Sequence, residues 1–315
     1  MDKQFLEDVK TGLTSNPKFL SSKYFYDEAG DKLFQKIMAL DEYYLTDCEY
    51  EIFTTHRATL MEQFVSVCDL FHLVEFGAGD GLKTKVLLKY FLEQNAVFEY
   101  NPIDISASVI DKLSEDLNHS LPLLSVHPIN HEYFKALEEL FHKSTCKKVI
   151  LFLGSNIGNF LEKEADVFFK RLADILLPGD QLLTGFDLKK DPAVILAAYN
   201  DSKGVTREFN LNLLKRINRE LEADFDIGEF YHYPLYDPVN GTAKSYLISR
   251  KKQQVSIGIN PTLIKFEKDE PIFMEISQKY SLEDIENYAA RAGFRITGNF
   301  FDKRKYFVNS LWELK

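Results

Sequence analysis

The chain has 315 residues, with 45% hydrophobic and 27% charged, the balance of an ordinary globular protein large enough to bury its own core. With 38 Lys+Arg against 48 Asp+Glu the formal charge is −10, which argues against binding through a broad phosphate-neutralising basic face. Cys48, Cys68 and Cys146 are scattered and odd in number, and give neither a disulfide framework nor zinc spacing.

Residues 1–60 are polar, helical in stretches and rich in aromatics. From residue 71 short apolar runs alternate with amphipathic ones. Strands are predicted at 71–76, 97–104, 123–129, 148–153 and 181–187, and helices at 83–94, 108–117, 132–141 and 162–177. That alternation implies a parallel sheet wrapped by helices. Beyond residue 190 it stops. Two helices (192–201 and 206–222) precede strands at 230–235, 243–249, 254–257 and 273–277, then a helix at 282–291 and an antiparallel hairpin, 294–301 with 306–314. The expected fold is α/β, a Rossmann-like domain of 61–190 plus 279–315. A second, discontinuous α+β domain is expected from 1–60 plus 191–278, with ligand in a cleft between the two. The polar start and short apolar runs predict neither a signal peptide nor a membrane span, hence a cytoplasmic protein.

Glu75-Phe76-Gly77-Ala78-Gly79-Asp80-Gly81 follows the first sheet strand. Alternate glycines permit a tight turn and close ligand approach. The spacing is not the dinucleotide fingerprint, which counts against a dinucleotide-dependent oxidoreductase. It resembles the E-x-G-x-G-x-G loop of S-adenosylmethionine-dependent methyltransferases with a Rossmann-like fold. Asp104, closing the second strand, is placed to accept ribose hydroxyls. Glu132 and Tyr133 begin the helix after the third strand, where such folds meet the adenine. The intact loop and Asp104 count against a non-catalytic module. Among the histidines only His127 and His131 have i, i+4 spacing, and no third ligand lies nearby, so no metal is expected.

Four further segments resemble one family, the histidine-specific Nα-methyltransferases of ergothioneine biosynthesis. They are Tyr24-Phe25-Tyr26-Asp27-Glu28-Ala29-Gly30 continuing to Glu42-Tyr43-Tyr44, Gly154-Ser155-Asn156-Ile157-Gly158-Asn159, Asp187-Leu188-Lys189-Lys190-Asp191-Pro192 through Tyr199 and Phe209 to Leu221, and Glu275-Ile276-Ser277 with Ser310-Leu311-Trp312. The resemblance implies transfer of three methyl groups from S-adenosylmethionine to the α-amine of L-histidine, giving hercynine. It implies cofactor contacts from Gly77, Lys83 and Asp104, with Lys83 reaching the methionine carboxylate. It implies that Asn159 and Tyr199 hold the substrate carboxylate and that Glu275 and Ser277 read the imidazole. Tyr43 would line the ring pocket, and Tyr26 and the Gly154 carbonyl would lie near the amine. Tyr26 would position the amine and relay its proton. The implied partner is a small amino acid, not nucleic acid or membrane. One departure stands out: Ser245 occupies the place of the family's imidazole-packing methionine, which leaves room for another amine, such as a tryptophan derivative.

Overall fold

The computed structural model describes residues 2–65, 70–143, 146–259 and 261–315. Cys68 lies outside them, and Cys48 is buried. The chain divides into two compact units, 1–44 with 190–278, and 45–189 with 279–315. Residues 45–60, expected with the N-terminal segment, group instead with the sheet unit. They belong to the helix Leu45–Val65, whose buried Ile52, Phe53, Leu60 and Phe64 make it one continuous 21-residue rod.

The larger unit is built on an eight-stranded sheet. Its order runs Phe294–Phe301, Phe307–Leu314, Gln181–Asp187, Lys147–Phe152, Leu70–Phe76, Val97–Asp104 and Ser125–Val126, with Ile129–Asn130 also on Val97–Asp104. Strands from 181–187 through 125–126 are parallel, and the C-terminal hairpin adds two antiparallel ones. Every residue of Lys147–Phe152 is buried, as expected for a central strand with both faces covered by helices. The predicted 123–129 strand is in fact two short pieces separated by His127 and Pro128. Proline has no N–H to give to a ladder. Phe76, Phe152 and Phe168 form an aromatic core under the sheet's leading edge, with Phe152 stacked on Phe168 at 4.7 Å.

The chain runs outward from 70–76 to 97–104 and returns to the other side of 70–76 at 147–152. The reversal therefore falls between 70–76 and 147–152, and ligands of open α/β sheets bind at the carboxyl ends flanking such a point. Gly77 and Gly154 sit at those two ends.

The smaller unit carries a four-stranded sheet in the order Lys18–Phe19, Pro271–Gln278, Thr242–Ser249, Phe230–Asp237. A separate hairpin pairs Gln253–Ile257 with Thr262–Phe266. The helices Pro192–Tyr199 and Val205–Leu221 pack on the sheet, and Glu28–Met38 packs on Val205–Leu221. Leu213, Leu214, Ile217, Leu247, Ile272 and Met274 form the core between them. Asp201 starts the 205–221 helix by accepting the N–H groups of Val205 and Thr206 at 2.8 and 2.7 Å. Burial resists ionisation of Asp201, but these amide bonds outweigh it and hold the carboxyl below its usual range.

Asp27 starts the 28–38 helix through Gly30 N–H and also binds Asn212 Nδ2 and Arg219, at 2.8, 2.8 and 2.5 Å. Burial again opposes its ionisation, and Arg219, Gly30 and Asn212 together prevail, lowering its pKa. A Cβ at Gly30 would lie 1.8 Å from the Phe25 carbonyl oxygen, a backbone atom with no freedom to retreat. Gly30→Ala is therefore expected to cost about 2 kcal/mol of stability, at the level of an overpacked core. Urea unfolding of the variant measures it.

Candidate functional site

In the sheet unit the glycine bend is a run of left-handed residues: φ is +68° at Gly77, +56° at Gly79 and +64° at Gly81. Gly77 N–H is anchored on the Ile103 carbonyl at 2.8 Å, and Gly81 N–H on Ala78 at 3.0 Å. A Cβ at Gly77 would meet Tyr133 Oη at 2.9 Å, and one at Gly81 would meet Leu113 at 2.7 Å. At Gly79 it would meet nothing within 4 Å, so the middle of the bend faces open space. Asp104 stands beside it, its carboxylate accepting Ser106 N–H at 3.0 Å and facing Gly79 N–H at 3.5 Å. An open concave bend with a carboxylate at the next strand end suits a ribose-bearing ligand.

The acid before the bend has a structural explanation. Glu75 is buried under the loop and accepts hydrogen bonds from Thr84 Oγ1, at 2.7 Å, and from Tyr100 Oη. It thus ties its strand to the start of the Thr84–Glu93 helix and to the neighbouring strand. Desolvation by burial outweighs those hydrogen bonds and lifts its pKa from 4.5 to about 7. Folding then favours the protonated form. The contribution of this group is fully present below pH 4.5 and is lost as pH rises through about 7. Glu75→Gln, neutral throughout, is expected to flatten that decline; denaturant midpoints taken from pH 5 to 8.5 check it.

Tyr133 stacks on Phe76 with ring centroids 4.8 Å apart and the planes 2° from parallel. Burial, with Asp104 nearby, pushes its phenol up to about 12, so it stays protonated. It flanks the bend. Glu132, next to it in the chain, is exposed and lies 3.8 Å from Arg171.

At the other strand end Gly154 (φ +69°) and Ser155 (φ 57°) are both left-handed and lead into the short 3-10 helix Asn156–Asn159. Ser155 Oγ accepts Asp187 N–H at 3.1 Å. The Asn156 amide lies between the two bends, with Nδ2 3.6 Å from a Cβ position on Gly77 and Oδ1 3.8 Å from one on Gly154. Asn159 is exposed at the end of this turn and does not cap the Glu162–Ile175 helix, which starts at Leu161 with Glu164 accepting Leu161 N–H at 2.8 Å.

Lys83 directly precedes the Thr84–Glu93 helix and pairs with Glu49, a fully buried carboxylate of the Leu45–Val65 helix. Glu49 also accepts Gly154 N–H, at 2.9 and 3.2 Å. Sequence patterning does not single out Glu49 or Asn156: Glu49 carries no local motif, and Asn156 lies unremarked within the 154–159 turn.

In the smaller unit Glu275 and Ser277 do share a face. Ser277 stands opposite Ala243 and Glu275 opposite Ser245 in the antiparallel register, and the bulge at Met274 re-aims the strand just before them. Ser245 is buried. Tyr199, closing the Pro192–Tyr199 helix, donates its hydroxyl to Ser277 Oγ at 2.8 Å. Its backbone carbonyl lies 3.0 Å from His232 Nε2, and burial lowers the His232 pKa, favouring the neutral ring that donates this bond. One end of the sheet face is thus polar, while the end at Leu247 and Ile272 is apolar. Tyr26 and Tyr43 belong to a second, aromatic cluster. Both meet the Phe34 ring edge-on, at 5.6 and 6.3 Å, and Tyr26 also meets Phe209 at 5.8 Å. The Tyr26 side of this cluster stays accessible, with the residue 44% exposed. Tyr44 is buried, and Lys190 donates to its hydroxyl at 2.8 Å.

Comparison with known proteins agrees with the bend. A family profile described as histidine-specific methyltransferase, SAM-dependent, matches residues 5–314. The chain is 34% identical over 304 residues to the histidine N-alpha-methyltransferase of Mycolicibacterium smegmatis, covering 96% of this chain and 93% of that protein. It is 32% identical to ergothioneine biosynthesis protein 1 of Neurospora crassa, of which it covers 35%. It is 26% identical to an L-tryptophan methyltransferase of Psilocybe serbica over 96% of this chain. Among the described residues no helix is long and apolar enough to cross a membrane. With the match running almost from end to end, the chain belongs to the histidine-specific, S-adenosylmethionine-dependent methyltransferase family.

Proposed function

We propose that the protein methylates the α-amine of L-histidine three times, using S-adenosylmethionine, to give hercynine. The observation that carries the reading is the polar end of the smaller unit's sheet. A carboxylate, Glu275, and a hydroxyl, Ser277, project from one face of one strand, a pair able to bind both nitrogens of an imidazole. The family match supports it.

The glycine bend, Asp104 and Tyr133 fit a nucleoside sulfonium: an open cradle, a ribose acceptor and an aromatic wall. When bound, S-adenosylmethionine supplies an electrophilic methyl group. The protein's own task is placement, because in-line attack needs nitrogen and methyl carbon about 3 Å apart and aligned. Tyr199 and Asn159 are assigned the substrate carboxylate, to which a phenol and an amide are neutral donors. Before each attack the amine must shed its ammonium proton. The accessible Tyr26 hydroxyl is assigned to hold that proton's path to solvent, and its ring to face the growing cation. Tyr43 is assigned to the ring pocket and Lys83 to the methionine carboxylate. Ser245, opposite Glu275 in the register, is smaller than the methionine of the family, so tryptophan belongs in the same assay.

The test is incubation with isotopically methyl-labelled S-adenosylmethionine and each common amino acid, read by mass spectrometry. A ladder of one, two and three labelled methyl groups on histidine is expected. Label on tryptophan with none on histidine would overturn the substrate, and label on no amine would overturn the reaction.

A further inference from the structure

We infer that Glu49 is a positioning residue that couples the methyl-donor end of the site to its amine end. The inference rests on the role proposed for Lys83 and on the place near the amine that the family resemblance implies for the Gly154 carbonyl. Glu49 is wholly buried, an expensive place for a carboxylate unless its oxygens are fully engaged. The fold makes specific room for it: a Cβ at Gly185 would lie 2.6 Å from Glu49 Oε1. An apolar side chain would fill such a position at less cost to stability.

The carboxylate engages two groups, each assigned to a different reactant. It pairs with the Lys83 ammonium. The Lys83 side chain is 22% exposed and has three donors, so a second carboxylate can be bound from the same ammonium. It also receives Gly154 N–H at 2.9 Å. Gly154 is a left-handed glycine, the most freely turning kind of residue, followed by another left-handed residue. Without an anchor its peptide would have several orientations. With Glu49 in place the carbonyl assigned to the amine and the ammonium assigned to the donor are fixed by one rigid helix side chain.

Three variants test this: Glu49→Gln, Lys83→Met and the double variant. The readouts are Kd for S-adenosylhomocysteine by calorimetry and KM for histidine, with thermal melting as the folding control. Glu49→Gln is expected to raise both Kd and KM, each roughly tenfold, the effect of losing one charge-assisted hydrogen bond. Lys83→Met is expected to raise Kd alone. In the double variant Kd is expected to be no worse than in Lys83→Met, while the raised histidine KM persists. Glu49→Asp, charged but one methylene shorter, is expected to recover donor affinity and guards against poor folding of the glutamine variant.

Wild-type Kd and KM in folded Glu49→Gln, beside an impaired Lys83→Met, would overturn the role of Glu49 alone. Multiplying effects on Kd in the double variant, or no recovery in Glu49→Asp, would overturn the coupling. Unchanged Kd in Lys83→Met would instead remove the underlying assignment of Lys83, and the coupling with it.

Discussion

Glu275→Ala is expected to lower kcat/KM for histidine by roughly 10- to 100-fold, the range for losing a hydrogen bond between a carboxylate and a bound ring N–H. Kd for S-adenosylhomocysteine should stay within about twofold, because Glu275 belongs to the sheet of the smaller unit and the glycine bend to the other unit. Glu275→Gln keeps an acceptor of the same length and should fall between the two. Steady-state kinetics with calorimetry on the same preparations decides the matter. If donor affinity and histidine turnover decline together, Glu275 supports the strand instead of reading the substrate.

Lys279→Met is expected to produce the largest stability loss, about 4 kcal/mol. Lys279 and Asp187 form an ion pair at 2.8 Å with both side chains fully buried. Removing the lysine takes its charge from a buried carboxylate, which costs far more than the pair contributes. Asp187→Asn combined with Lys279→Met leaves two neutral groups and should regain a good part of the loss. Denaturant unfolding of the single and double variants measures both. A double variant no better than the single would show that the position needs lysine for packing instead of pairing.

Much of the larger unit could be read from its apolar runs. The strands 97–104, 181–187 and 294–301 begin and end where their residue patterns place them. Three kinds of detail escaped. The apolar pattern does not predict the strand Thr262–Phe266, which is five residues long and, among the described residues, pairs with the adjacent Gln253–Ile257 alone. The affiliation of residues 45–60 is a tertiary fact: the helix they begin has hydrophobic side chains but no motif that says which core receives them. Gly77 and Asp104 could be placed at neighbouring strand ends from sequence because a strand–turn–helix joint demands special residues at fixed offsets, and Tyr133 lies beside them in the fold. The place of Glu49 could not be read this way, since only folding brings the distant Lys83 and Gly154 to its carboxylate. For Glu132, the pattern located the helix start but not its neighbour across helices, Arg171 at 3.8 Å.

Tyr280 N–H binds the Asp187 carbonyl and Lys189 N–H binds the Tyr280 carbonyl, both at 2.9 Å, while Leu188 bridges Tyr280 in parallel. The outgoing and returning segments at residues 188 and 280 are therefore clamped side by side, although more than ninety positions separate them in the chain. Everything from residue 190 to 278 departs from and comes back to one spot on the larger sheet. A seam of that kind lets the 190–278 segment change in length or content without parting any strand of the larger sheet, while residues 1–44 reach the smaller unit by a separate crossing at residue 45.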